Sequence, residues 1–587
     1  MYRPSQSRAR SAKLVVAAGM LALLCLVAAA GHRSASAAIP ARPSFVVIQT
    51  DDQTLGELYA SFGQPKLQAM PNTLNLIAKR GETFNNYYVS YPLCCPSRTS
   101  LLTGRYSHNN GVRGNVQPNG GYSGFSFRAA ATHNLAVWLQ DDGYRTIHVG
   151  KFLNGYGDEP FDDGTTVPPG WSAWHTVLKA DTTHYFYGYT LNDNGQIDGP
   201  FGDSGSWDTR EYGARDDIGC PFAPTNGLPC NYETDTLTSI ATTELQGTSP
   251  EQPFYLQLDY TAPHGDFRHP AGPEPAPRHY NWFNGAPPPN RRSQGFAEGN
   301  VTDKPRFIRE APYLSLSDIH TYRVYYDKAL ESLRSVDDGV KQLIDTLGSL
   351  HRLRNTYVIF TSDNGFFFGE HRLIGGKFLA YEPSTHLPFL IRGPHIRPGT
   401  ESNELVGNID IAPTVLELAG AEADKSIDGR SMGPFLHDAG LRTLRPYLFE
   451  SFVESSDVQE QGAIAEPGDQ SGRTSAKGRS ATASILAPPK DYEGIRLGPY
   501  KYIAWPDGEK ELYDLEKDPY ELNNIVRIPN YFPIRNYLHR ELRDLEDCDG
   551  RGCREDASEI PLTRKERLRE IKQKLKERRE KQEQQKR

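Results

Sequence analysis

The sequence predicts an α/β fold: a large mixed, mostly parallel sheet flanked by helices, followed by a small C-terminal antiparallel α+β subdomain. Three observations predict it. Ser44–Thr50, residues 253–260 and Thr356–Ser362 are short, almost continuous apolar runs, the pattern of strands buried on both faces of a parallel sheet. Segments with helical periodicity alternate with them, so βαβ units follow one another. Beyond about Leu441 the pattern changes, and residues 492–505 alternate around Gly498-Pro499 as a hairpin does. A chain of 587 residues is too long for one ordinary core. The expected layout is a catalytic domain over 43–440, a small subdomain over 441–545 and a charged tail over 546–587.

Residues 1–38 stand apart from the fold. Arg3, Arg8, Arg10 and Lys13 precede an apolar run over 14–30, and Ala35-Ser36-Ala37 supplies a small-residue cleavage site. Together they read as a secretory signal peptide cut near Ala37 and Ala38, and it is the one segment expected to touch a membrane. An uncleaved anchor is the competing reading, although the run is at the short end for crossing a bilayer. Export implies an oxidising compartment. Cys220 with Cys230, and Cys548 with Cys553, each bracket a short polar loop, and both spacings allow a local disulfide, leaving Cys94 and Cys95 over. A four-cysteine zinc site would need the two distant pairs to meet, and neither pair is a C-x-x-C. The net charge of −8 favours no nucleic-acid partner, so the substrate is sought in a pocket.

Ser44–Thr50 runs into Asp51-Asp52. Adjacent carboxylates at the C-terminal end of a central strand lie where open α/β sheets bind ligands, and a cation relieves their repulsion. In residues 91–105, Pro96 suits a first helical turn and Gly104 a stop, which places Cys94 just before a helix N-terminus. The unpaired N–H groups there, with Arg98 one turn in, make a seat for a tetrahedral anion. Helical signals over 71–80 and 131–140 alternate with a strand over 144–149, which delivers Lys151 to another strand end. Residues 155–252 have weak periodicity and read as loops and short strands around the entrance to the site. The strand over 253–260 leads to His264. Helical periodicity over 314–350 precedes Thr356–Ser362, which ends in Asp363-Asn364. Asp51, Asp52, Asp363 and Asn364 offer oxygen donors and no soft ligand, a set suited to calcium rather than zinc. Gly375-Gly376 lets backbone approach a ligand just before Lys377. A strand over 388–393 and a helix over 411–419 close the large domain. Residues 453–490 are rich in Ser, Gly, Ala, Gln and Glu and read as a mobile insertion. The last stretch, 564–587, is a run of Lys, Arg, Glu and Gln that reads as a solvated helix or frayed tail; the sharper idea is a basic arm for a sulfated polyanion.

Cys94-Cys95-Pro96-Ser97-Arg98, followed by Leu102-Thr103-Gly104-Arg105, resembles the type I sulfatase signature C-x-P-S-R-x-x-x-L-T-G-[RK]. The resemblance spans about residues 43–530 and implies an alkaline-phosphatase-like fold and a secreted sulfuric ester hydrolase. It also implies that Cys94 is oxidised to formylglycine by a dedicated maturing enzyme and that its hydrate is the nucleophile. One calcium ion would sit on Asp51, Asp52, Asp363, Asn364 and residue 94. Arg98, Lys151 and Lys377 would stabilise charge on sulfate, and His264 would contact it and protonate the departing alcohol. The doubled cysteine and Gly150-Lys151-Phe152-Leu153-Asn154 are similar to the N-acetylglucosamine-6-sulfatase and extracellular heparan sulfatase branches. Most arylsulfatases read G-K-W-H there, so the group that takes the hydrate proton is unassigned. The partner implied is a sulfated small molecule or glycan. Two rival classes share these residues: a phosphomonoester or phosphodiester hydrolase of the same fold, and a non-catalytic protein that binds sulfated glycans.

Overall fold

Ser44–Thr50 occupies the middle of a ten-stranded sheet, and all seven of its residues are buried, as an uninterrupted apolar run requires. The computed structural model describes residues 42–62, 67–158, 162–178, 184–201, 231–266, 272–286, 295–422, 424–452 and 491–586. The strand order is Thr400–Gly407, Glu82–Tyr88, Phe389–Arg392, Thr356–Ser362, Ser44–Thr50, Phe254–Asp259, Arg145–Gly150, Ala173–Val177, Tyr189–Asp193 and Gln196–Phe201. The five strands from Thr356–Ser362 to Ala173–Val177 are mutually parallel. Phe389–Arg392 on one side and the hairpin of Tyr189–Asp193 with Gln196–Phe201 on the other run antiparallel to their neighbours.

Alternate residues of each strand point to opposite faces, and the two faces bury different partners. Val46, Ile48, Leu256, Leu258, Val358 and Phe360 pack on the helices Leu316–Ser349 and Glu233–Gly247. Phe45, Val47, Tyr255 and Ile359 pack on Cys94–Thr103, Leu135–Asp141 and Ile411–Ala419. Each such aliphatic or aromatic side chain contributes about 1.5–3 kcal/mol by leaving water. Helices on both faces leave the strand ends as the place for chemistry.

Glu233–Gly247 departs from the sequence expectation, which assigned this region to loops and short strands. Its threonines are β-branched and poor helix formers, which blurs the apolar period. The helix accommodates them by turning hydroxyls back on its own carbonyls, Thr238 on Thr234 and Thr243 on Ser239, at 2.7 and 2.8 Å. The long helix begins at Leu316, where Ser315 and Asp318 form a reciprocal capping box.

The second sheet is an antiparallel meander of Tyr447–Phe452, Asp491–Leu497, Tyr500–Ala504 and Lys510–Asp514. Its hairpin turns at Gly498-Pro499, as the alternation predicts. The helix Phe532–Glu546 covers it, and Ile495, Ile503, Leu538 and Leu542 share one apolar cluster with Tyr88, Tyr91, Phe367 and Tyr381 of the larger unit. Cys548 and Cys553 form the expected disulfide. The expected Cys220–Cys230 pair, the leader over 1–38 and the insertion over 453–490 lie outside the described residues. Arg564–Lys586 is a helix whose Leu568, Ile571 and Leu575 are exposed. Among the described residues, no helix is long and apolar enough to cross a membrane.

Candidate active site

Four neighbouring parallel strands end at one place and deliver most of the expected residues there. Ser44–Thr50 presents Asp51 and Asp52, Arg145–Gly150 presents Lys151, Thr356–Ser362 presents Asp363 and Asn364, and the turn after Phe254–Asp259 presents His264. The strand-end loops are stitched together by their backbones: Asp363 N donates to Thr50 O at 3.0 Å, and Lys151 N to Asp259 O at 2.9 Å. Asp52 adopts a left-handed φ of 67°, a region aspartate tolerates better than most side chains, and its amide donates to Asp363 Oδ1 at 3.2 Å. Cys94 opens the helix Cys94–Thr103 instead of preceding it, and Gly104 ends that helix at a φ of 66°. Cys95 turns the other way, into the apolar core, where its Sγ accepts from Asn154 N at 3.2 Å. Gly375 and Gly376, at φ of 75° and 78°, supply the turn that brings Lys377 back to the strand ends.

Residue 94 sits between two ammonium groups and a carboxylate. Lys377 Nζ donates to Cys94 Sγ at 2.9 Å, Lys151 Nζ approaches to 3.8 Å, and the thiol faces Asp51 Oδ1 at 3.4 Å. Lys151 also pairs with Asp51, and Lys377 with Asp52 at 2.5 Å. His264 Nδ1 lies 2.9 Å from Gly265 O, so Nε2, 3.6 Å from Asp52 Oδ2, is the atom that faces the site. Arg98 is expected to help seat an anion and stabilise its charge; in the structure its Nε donates to Asp363 Oδ2 at 2.8 Å, Nη1 donates to Lys151 O at 2.9 Å, and Nη2 lies 3.4 Å from Asp51. Its place is a brace beneath the carboxylates.

Ligand atoms of Asp51, Asp52, Cys94 and Asp363 all lie within 4.8 Å of one another, and all four residues are buried. Burial pushes the Asp363 carboxyl up to about 6, with the Asp51 charge adding to the rise. Burial acts on Asp51 in the same sense, but Lys151, His264, Arg98 and Lys377 together hold it well below the usual carboxylate range. Asn364 turns its Nδ2 to Asp52 and leaves a buried Oδ1 with no hydrogen-bond partner. Three crowded carboxylates and an orphaned amide oxygen are a donor set that fits a hard cation. The structure thus brings Asp51, Asp52, Cys94 and Asp363 together, with Asn364 hydrogen-bonded to Asp52.

Three neighbours escaped the sequence reading. His148 and Asp259 form a buried pair at 3.2 Å, with Asp259 3.8 Å from Arg98. His184 lies in the region read as entrance loops, yet its Nε2 is 2.7 Å from Lys151 Nζ and its ring stacks on His264 with centroids 4.1 Å apart. The only signal for it is a histidine set in a dense aromatic run, Tyr185-Phe186-Tyr187. Phe152 and Leu153, which follow Lys151, face the apolar core.

Comparisons with known proteins agree with this geometry. The sulfatase family model matches residues 43–421. An arylsulfatase of Volvox carteri is 33% identical over 564 residues, covering 92% of this chain and 79% of that protein. The N-acetylglucosamine-6-sulfatase of Homo sapiens is 31% identical over 525 residues, covering 87% and 86%. A structure solved with its substrate D-glucosamine-2-N,6-O-disulfate superposes with a TM-score of 0.62 at 22% identity, covering 87% of this chain and 98% of that one, and so shares the alkaline-phosphatase-like fold. A family match that spans all ten strands of the large sheet, together with relatives matched over most of their length at this identity, places the chain in the sulfatase family: it is an enzyme that hydrolyses sulfate esters.

Proposed function

We propose that the protein is exported and cleaves aryl or carbohydrate sulfate monoesters with a formylglycine made from Cys94 and one calcium ion. The observation that carries this is the buried cluster of Asp51, Asp52, Cys94 and Asp363, with two lysines aimed at residue 94. Asp51, Asp52, Asp363 and Asn364 would hold the calcium, which would supply positive charge beside the sulfate oxygens. Oxidation of Cys94 by a formylglycine-generating enzyme would supply a hydrated aldehyde, able to attack sulfur through one hydroxyl and release sulfate through the other.

The chain's own groups do the rest. Lys151 and Lys377 stabilise negative charge on the transferring group, and in a buried site such preorganised charge acts more strongly than in water. His264, with Nδ1 turned to the Gly265 carbonyl, offers Nε2 to protonate the departing alcohol oxygen. Arg98 keeps Asp363 and Asp51 in place as the charge between them changes. Asp363, held by Arg98 beside residue 94, is the carboxylate placed to accept a proton from the attacking hydroxyl. The disulfide suits an oxidising compartment, in keeping with the expected leader over 1–38. The names of the relatives favour a sulfated amino sugar as the carbohydrate substrate.

The test combines the mass of tryptic peptide 81–98 from secreted protein with rates on 4-nitrophenyl sulfate, 4-nitrophenyl phosphate and N-acetylglucosamine 6-sulfate. Formylglycine at residue 94, sulfate turnover exceeding phosphate turnover, and loss of activity in chelator restored by calcium are expected. An intact Cys94 thiol in active protein from the native source, or a preference for the phosphate, would overturn the mechanism.

A further inference from the structure

We infer that His184 is a positioning residue for this hydrolysis, holding the Lys151 ammonium on the reacting sulfate and setting the plane of His264. The inference rests on the sulfatase reading above. Lys151 is fully buried, and an ammonium has three hydrogens to place. Lys151 Nζ pairs with Asp51, lies 2.7 Å from His184 Nε2 and comes within 3.8 Å of residue 94. His184 therefore balances Asp51. Without an acceptor on its side, the ammonium would settle onto the Asp51 carboxylate and draw back from the position sulfate takes.

The geometry also fixes the state of the ring. An ammonium only donates, so Nε2 is the acceptor in this contact and the ring's one proton is assigned to the buried Nδ1. A neutral ring is what the location demands, because Lys151, His264 and Arg98 already crowd positive charge around Asp51. His184 thus stacks on His264 at an interplanar angle of 27° while its Nε2 meets Lys151. The ring is only 1% exposed, which leaves it little room to swing away. Two residues further on, Phe186 stacks on Tyr232 with centroids 5.7 Å apart, anchoring the segment to the apolar core.

A side chain that merely fills space is distinguished from one that accepts a hydrogen bond by comparing His184→Leu with His184→Gln. Leucine keeps the bulk and removes the acceptor; the glutamine carbonyl restores an acceptor for Lys151. In matured enzyme, His184→Leu is expected to lower kcat on 4-nitrophenyl sulfate about 10–100-fold, the range for removing such a supporting partner, with much less change in KM. His184→Gln should recover most of that loss, at the same thermal midpoint. A second readout needs no turnover: calorimetric binding of inorganic sulfate to the unmatured protein should weaken about tenfold in His184→Leu and recover in His184→Gln. Leucine matching wild type in both readouts, or glutamine as impaired as leucine, overturns the role of His184. Sulfate binding that depends on His184 in a protein that turns over no sulfate ester supports the positioning role while defeating the functional reading. A wild-type protein that binds no sulfate defeats both.

Discussion

At the scale of single residues, Lys377 and Lys151 both reach residue 94, but their second partners differ. Lys151 is tied to Asp51 and His184, whereas Lys377 comes from a glycine turn and pairs with Asp52, the same carboxylate that His264 faces. Lys377 and His264 thus share a side of the site, the side on which a leaving oxygen would be protonated. A cation that stabilises a leaving oxygen matters most when the alcohol is a poor leaving group. Lys377→Met is therefore expected to lower kcat/KM about 100-fold on 4-nitrophenyl sulfate and about 10,000-fold on a carbohydrate 6-sulfate. Equal losses on the two substrates would mean that Lys377 holds sulfate without touching the leaving group. The acidic pairs and Lys151 were legible because each follows a buried strand without a gap. His184 was not, because nothing in its local sequence says that Lys151, 33 positions earlier, will lie beside it.

At the scale of elements, continuous apolar runs announced the central strands, and a glycine stop announced the helix end at Gly104. The helix Glu233–Gly247 was obscured by threonines whose hydroxyls are satisfied only once the helix exists. Junctions between elements were equally invisible in one dimension. The short helix Ser107–Asn110, just beyond the catalytic helix, places His108 Nδ1 2.7 Å from Glu450 on the small sheet and Nε2 3.0 Å from the Cys548 carbonyl. Burial alone would lower the His108 pKa, but the Glu450 carboxylate and that carbonyl overcome it and raise the value to about 9. A folded pKa above the unfolded 6.5 contributes stability that is complete below pH 6.5 and disappears as pH rises through 9. The raised value corresponds to about 3 kcal/mol on a largely buried side chain. His108→Gln should consequently lower the unfolding midpoint most at pH 6 and scarcely at all at pH 10. A deficit independent of pH would show that the ring acts through packing instead of charge.

At the scale of the whole molecule, the small C-terminal sheet is bound to the catalytic loop through a buried charge cluster. Lys501, on Tyr500–Ala504, is fully buried; it donates to Ala380 O at 2.8 Å and pairs with Glu382 at 2.6 Å and Glu521 at 2.9 Å. Ala380 and Glu382 lie three and five residues beyond Lys377, so this cluster anchors the segment that aims the catalytic ammonium. Burial would raise the Glu382 pKa, yet Lys501 and His386 hold it well below the usual range, so the carboxylate depends on its partners for its charge. Removing one member of a buried ion cluster leaves the others uncompensated, at a typical cost of about 3–5 kcal/mol. Lys501→Met is expected to lower the unfolding free energy read from urea titration by an amount of that order and to reduce kcat about tenfold even under conditions where the variant is fully folded, because Lys377 loses its anchor. Adding Glu521→Gln to Lys501→Met removes one of the stranded charges and should restore part of the stability, but little of the activity, since Ala380 still lacks its donor. If the single variant loses stability and keeps its turnover, the small sheet is a passive buttress; if both fall together and only stability returns in the double variant, it is part of the apparatus that positions Lys377.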